Sequence, residues 1–268
     1  AFAMALRPLV RKGRLLAFDI DAQTLALAER DGLIDEGFDG RQKPETMLSR
    51  CDLVFLCLNP SSLLRFLGAW EGAFRPGSLV TDVAGIKGSI AAAAEKFRAD
   101  VDFIPGHPMA GSEKGGFINA GRCDFRGKNY ILTPLKRNRR ENLEFLKALI
   151  RRMGFRTITE TSAEDHDRKA AFTSQLCHVI AAALIDCEAD TAITRFGGGS
   201  FEDLTRIAML NVPMWTELFI ENSEKLLERI DLFEKSLDAI RELIARGAES
   251  ELKARLGAVR DRRSAMNG

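Results

Sequence analysis

The residues best suited to chemistry lie in one segment, GHPMAGSEKGG, from Gly106 to Gly116. An apolar, strand-like run, VDFIPG from Val101, leads into it. Open α/β sheets place their ligands beyond the carboxyl ends of such strands. A histidine there, followed by a proline and small residues, gives an exposed imidazole on a closely packed loop. Imidazole titrates near neutrality, so His107 is either a general acid–base group or a structural histidine. A second histidine, His178, stands inside the apolar stretch LCHVIAAAL, where a buried, satisfied ring is the simplest reading. Asp19 closes another strand-like run, LLAFDI. In dinucleotide-binding domains an acid at that point bonds the adenosine ribose and disfavours a 2′-phosphate; the alternative is a turn aspartate in DIDAQT. Arg206 follows the glycine run of RFGGGSFEDLTR and is either an anion-gripping fork or a helix arginine paired with Glu202 or Asp203.

Positioning these residues requires a scaffold, and the chain divides into two characters. Up to about residue 136, apolar runs beginning at Leu15, Asp52, Ser78, Val101 and Asn129 alternate with helical patterns over 22–30, 61–70 and 87–98. Strands that are apolar throughout and spaced by helices imply a parallel sheet covered on both faces. From 137 to 268 the pattern is mainly helical, with one more possible strand at RTITET, a long alanine-rich stretch over 164–190 and helical spacing over 214–248. The three glycines Gly197 to Gly199 cannot propagate a helix cheaply and mark a loop. The fold expected is a Rossmann-like α/β nucleotide-binding domain, 1–136, followed by an all-α substrate and dimerisation domain, 137–268. A helical domain this apolar is expected to bury a face against a twin, giving a homodimer. The basic run KRNRR, 136–140, reads as a solvated turn and helix start.

Composition excludes several classes. Lys plus Arg is 39 and Asp plus Glu 38, a net charge of +1, so no global field draws the chain to nucleic acid or an anionic membrane. Five cysteines, an odd number with no CxxC pair, argue against a disulfide framework or a zinc knuckle and fit a reducing cytoplasm. The longest apolar runs are too short to span a bilayer. At the front, the strand reaching Asp19 is preceded by neither a strand nor a GxGxxG turn. The expectation is that the chain starts just past the pyrophosphate loop of a longer protein.

Several segments, in order, resemble the prephenate and arogenate dehydrogenases, the TyrA family, over nearly the whole chain. GHPMAGSEKGG resembles that family's signature; DIDAQTLALAERDGLIDEG, TDVAGIKG, SQLCHVIAAAL, FGGGSFEDLTRIA and PMW resemble its other motifs. Two departures stand out: Gly85 occupies a position that is often serine, and Gln175 and Cys177 replace a histidine and a proline while His178 is kept.

The resemblance implies NAD-dependent oxidative decarboxylation of prephenate on the way to tyrosine. That chemistry needs a base for the ring hydroxyl, a nicotinamide to accept hydride and an orienting site, but no metal. It implies His107 as the base, Arg206 and His178 as carboxylate binders, and Gly199 in a loop entering a partner subunit's site. Glu113 would pair with Arg206 before substrate arrives, with Ser112 a further neighbour. On the cofactor side it suggests Asp19, Asn59, Pro60 and Asp82, with Lys87 nearby. An arogenate dehydrogenase, a β-hydroxyacid dehydrogenase of similar layout and a non-catalytic sensor are the alternatives. The β-hydroxyacid enzymes rely on a lysine in the helical half, where this chain offers His178 and Arg206.

Overall fold

A computed structural model describes residues 1–111 and 116–266. The expected Ser112 and Glu113 lie outside the described residues. The chain forms two compact units, Ala1–Asn222 and Ser223–Gly268.

In the first unit, α1 (Phe2–Leu6) precedes β1 (Leu16–Phe18), α2 (Ala22–Arg30) and β2 (Glu36–Phe38). Next come α3 (Glu45–Leu48), β3 (Leu53–Leu56), α4 (Pro60–Trp70), β4 (Leu79–Asp82), α5 (Gly88–Lys96) and β5 (Asp102–Phe103). Strands β1 and β2 pair in parallel, and β3, β4 and β5 form a second parallel sheet in that order. Strand β4 is buried at all four residues, as an apolar strand between helices should be. Val54, Leu56, Leu63, Leu67, Val80 and Ile90 join Phe74, Phe97 and Phe103 in the core between this sheet and its helices.

One expected strand, 101–106, divides in two. Pro105 has no N–H to give the β4 ladder, and the chain turns into β6 (Gly106–Pro108), which pairs antiparallel with β7 (Asn129–Leu132). Helix α6 (Arg140–Arg152) then leads to β8 (Thr157–Glu160), which pairs in parallel with β7, so sheet structure continues to Glu160. The basic turn before α6 does more than face solvent. The Arg137 guanidinium donates to the carbonyls of Ala94, Glu95, Phe97, Arg98 and Val101, closing the C-terminal end of α5.

Beyond Glu160 the chain is helical. The long helix expected over 164–190 is interrupted: α7 (Ala163–Ala170) and α8 (Leu176–Asp186) flank a π-helical turn, Ala171–Gln175. Ser162 caps α7 by accepting from the Asp165 N–H. Helices α9 (Gly199–Thr205) and α10 (Val212–Glu221) complete this unit. Three carboxylates from α7 and α10 hold it to the α/β part at helix N-termini, where backbone N–H groups are unpaired. Glu217 accepts from the Ser61 N–H of α4, Glu221 from the Ser89 hydroxyl of α5, and Asp167 from the N–H groups of Lys87 and Gly88. The second unit is a helical pair, α11 (Ser223–Ala245) and α12 (Glu249–Ala265). Among the described residues no helix is long and apolar enough to cross a membrane.

Candidate active site

His107 is the central residue of β6, placed where the β5–β6 break turns the chain across the carboxyl end of β4. The close packing behind it is enforced by Gly106: a Cβ there would lie 2.8 Å from Cε1 and 2.9 Å from the hydroxyl of Tyr130. Tyr130 is fully buried, and burial pushes its phenol pKa upward, so it remains a neutral packing wall.

The imidazole is held from behind. His107 Nδ1 lies 2.9 Å from His166 Nε2, and His166 Nδ1 lies 2.7 Å from Asp167 Oδ1. His166 is 1% exposed and Asp167 6%. Asp167 also accepts the N–H of Lys87 at 2.7 Å and of Gly88 at 2.8 Å, the donor set of an ionised carboxylate. The protons follow from this geometry. His166 carries its hydrogen on Nδ1 toward Asp167 and accepts at Nε2 from His107 Nδ1–H. That leaves the lone pair of His107 on Nε2, on the side of Gly85, where an added Cβ would sit 3.9 Å away. Burial, then the neighbouring His166 and Lys87, pull the His107 pKa well below its ordinary 6.5, so the ring stays a neutral base.

Beneath this row lies a second buried pair. Lys87 and Asp82, both 0% exposed, form an ion pair. Asp82 also accepts the N–H of Ala84 and of Gly106, the residue before His107. Burial pulls Lys87 below the usual lysine value, with Asp82 opposing. Lys87 is thus no solvated helix start. Asp82, expected beside the cofactor, has its carboxylate committed to protein groups and anchors the strand that carries His107.

The other expected residues fall at element ends. Asp19 closes β1, its Oδ1 accepting from the Asp21 N–H at 2.9 Å. Asn59 occupies the N-cap of α4 with no side-chain capping bond, and the buried Pro60 begins that helix. Part-exposed carboxylate and exposed amide at the carboxyl ends of parallel strands suit ribose hydroxyls, so this donor set fits a dinucleotide. His178 donates from Nδ1 to the Ser174 carbonyl at 2.9 Å and stacks on Trp215, ring centroids 3.6 Å apart. Arg206 opens the turn Arg206–Ala208, which packs against α8, the helix of His178. Gly199 is exposed at the start of α9.

Sequence reasoning missed His166, Asp167 and the stacking of Trp215 on His178. His166 lies 59 residues from His107 in a helix whose composition reads as solvent-facing. The π-helical turn between α7 and α8 is an irregularity often found at functional sites. Its Gln175, 2% exposed, bonds the Leu218 carbonyl and accepts from Asn222, which also holds the Asp167 carbonyl.

Two family models match the chain. Residues 2–159 match the family model described as prephenate dehydrogenase, nucleotide-binding domain, and residues 162–258 the model described as prephenate dehydrogenase, dimerization domain. A curated prephenate dehydrogenase from Bacillus subtilis is 28% identical over 85% of this chain, which spans 62% of that relative's length. The crystal structure of prephenate dehydrogenase from A. aeolicus, in complex with hydroxyphenyl propionate and NAD+, is 31% identical. It superposes with a TM-score of 0.86, covering 99% of this chain and 93% of that one. Synechocystis arogenate dehydrogenase is 26% identical with a TM-score of 0.78, covering 98% and 94%. With a nucleotide-binding Rossmann-like domain and a helical dimerisation domain matched in sequence order, the chain belongs to the prephenate dehydrogenase family.

Proposed function

We propose that this protein oxidises and decarboxylates prephenate, with NAD as the acceptor, to give 4-hydroxyphenylpyruvate. The observation that carries the reading is His107: its Nδ1 is engaged by His166, and its Nε2 lone pair faces the Gly85 side of the site. Such a ring abstracts a hydroxyl proton without first losing one of its own.

The roles assigned are these. His107 takes the C4 hydroxyl proton. Arg206, on a turn that packs against α8, and His178, on α8 itself, hold substrate carboxylates; a guanidinium fork suits two oxygens at once. Gly199 and its neighbours serve a site shared with a second subunit, and Ser112 and Glu113 complete the substrate loop. Asp19, Asn59 and Pro60 hold the dinucleotide, whose nicotinamide supplies the hydride acceptor when bound. Asp82, through the Gly106 N–H, fixes the strand position of His107. NAD is supported by an acidic rather than a basic residue at the end of β1 and by the NAD+ named with the A. aeolicus structure. Residues 1–136 act as the dinucleotide part and 137–268 as the substrate and dimerisation part.

Prephenate is taken over arogenate on the names of relatives, the A. aeolicus prephenate dehydrogenase at 31% identity against 26% for the Synechocystis arogenate enzyme; a cyclohexadienyl dehydrogenase from Zymomonas mobilis is also 31% identical, so the assay includes both substrates. The test is NADH formation followed by absorbance, using the full-length protein with each substrate and NAD or NADP. Prephenate-dependent NADH that vanishes in His107→Asn supports the assignment. A larger kcat/KM with arogenate replaces the substrate. Silence with both, from protein that binds NAD, overturns the reading.

A further inference from the structure

Oxidative decarboxylation of prephenate makes an uncommon demand on a base. The C4–H bond pair leaves as hydride to the nicotinamide while the C4 hydroxyl proton leaves, giving a ring ketone. The bond pair to the departing CO2 then enters the ring and returns electrons to that oxygen. The product is a phenol with a pKa near 10, so at neutral pH the same oxygen regains a proton. The dianion therefore yields its aromatic product with no net proton released. The proton is borrowed, and a buried site must keep it for the lifetime of the intermediate.

We propose that His166 and Asp167 are positioning residues that form, behind His107, an internal store for this proton. The inference rests on the proposed reaction. As His107 gains a proton at Nε2, its Nδ1 proton passes the 2.9 Å to His166 Nε2. The positive charge then resides on His166, which donates 2.7 Å from Asp167 Oδ1. When the ring aromatises, the transfers reverse and Nε2 returns its proton to the phenolic oxygen. Every hydrogen in the row has one donor and one acceptor at each stage, so the shuttle requires proton shifts and no rearrangement of heavy atoms.

The surroundings favour charge at the far end of the row. The ionisable groups facing it are Lys87 and Asp82 from the β4–α5 segment, Asp167 from α7 and Glu221 from α10. Lys87, a cation, disfavours a charge retained on His107. Asp167 is fixed by the N–H groups of Lys87 and Gly88, and its segment is tied through Asn222 and Gln175 to α10. Its oxygen therefore cannot swing away from His166. The row also explains why a single carboxylate binds two parts of the fold: it caps the start of α5 and orients the store.

The chain has three histidines, His107, His166 and His178, so ¹⁵N-histidine NMR of the full-length protein with NAD resolves each ring. The expected result is a hydrogen on Nδ1 of both His107 and His166 at neutral pH, and a coupling across the hydrogen bond from His107 Nδ1 to His166 Nε2. A His166 ring protonated on Nε2 at neutral pH, or no coupling across that bond, overturns the store whether or not prephenate is the substrate. In kinetics, His166→Gln is expected to lower kcat by about 10- to 100-fold, with KM changed less than about threefold. The acid limb of kcat/KM should move to higher pH, because the neighbouring His166 that helps hold the His107 pKa down is then gone. Asp167→Asn, which weakens the hold on the His166 ring, should likewise lower kcat with little change in KM. An unmoved limb with kcat and KM impaired together would mark both residues as merely structural. If prephenate is not turned over yet the NMR coupling is found, the substrate assignment fails and the store stands.

Discussion

Gly85, at the position where the family resemblance leads one to expect serine, lies within reach of the proposed base. A Cβ added there would lie 3.2 and 3.3 Å from the two methyls of Leu218 and 3.9 Å from His107 Nε2. The methyls end a rotatable side chain, so a serine fits if Leu218 gives by a few tenths of an ångström. Its hydroxyl would then stand beside both the imidazole and the substrate alcohol. A net hydrogen bond of about 1 kcal/mol corresponds to about a fivefold change in affinity. Gly85→Ser is therefore expected to lower the prephenate KM about fivefold while leaving the melting temperature within a few degrees. Steady-state kinetics beside thermal unfolding measure both. A raised KM in a stable protein would show that Leu218 holds its place and that the open space at Gly85 is itself used. At this scale the sequence was readable where motif and chemistry coincide. His107 stood out because a strand end, a histidine and small residues are contiguous. His166 and Asp167 did not, because their partner is distant in the chain and the residues around them, AEDHDRKA, carry the polarity of a solvent-facing helix turn.

The elements make a site by lending their ends to one another. Helices α4 and α5 begin at the carboxyl ends of β3 and β4; N–H groups at their starts receive Glu217 and Asp167 from the helical segment, and the Ser89 hydroxyl donates to Glu221. Between them the Lys87–Asp82 pair is fully enclosed, and Asp82 holds the start of β6 through Gly106. Removing one partner of such a pair strands the other charge in a medium that cannot solvate it, at about 3–5 kcal/mol. Lys87→Ala is thus expected to cost about that much in urea unfolding, and to reduce activity through displacement of His107. A loss under about 1 kcal/mol would mean that water enters and solvates Asp82. Helix α2 lies where the helical spacing of apolar residues put it, Ala22–Arg30, and β1, β3, β4, β7 and β8 fall inside their expected runs. The short β2 went unseen because EGF has too few residues to show a period. The split of 101–106 was hidden because a proline inside an apolar run signals a break but not the direction the chain takes afterwards. The π-helical turn was invisible for a different reason: Gln175, at its end, bonds Leu218 and Asn222, contacts that no local pattern records.

For the molecule as a whole, the unit from Ser223 onward shows what a single chain leaves uncovered. Along α11 and α12, Leu227, Leu232, Leu237, Ile244, Leu256 and Val259 are each at least half exposed. Scattered apolar residues on a surface need no explanation, but a repeated set along paired helices is what an interface between subunits leaves bare when one subunit is viewed alone. The matched dimerization domain, residues 162–258, spans α11 and more than half of α12. A homodimer formed through these helices is therefore expected. Its folding should depend on protein concentration, because association stabilises the native state by mass action. Thermal unfolding across a hundredfold concentration range should raise the melting temperature steadily, and light scattering should give twice the mass of one chain. Placing charges at the centre of the stripe, Leu232→Lys with Leu237→Glu, should yield monomers and remove the concentration dependence. If Gly199 serves a site completed by a second subunit, the same pair of changes should reduce kcat/KM in proportion to the dimer lost. Full activity from a protein that sediments as a monomer would separate the two ideas, leaving the helices as an assembly surface and the active site as the property of one chain.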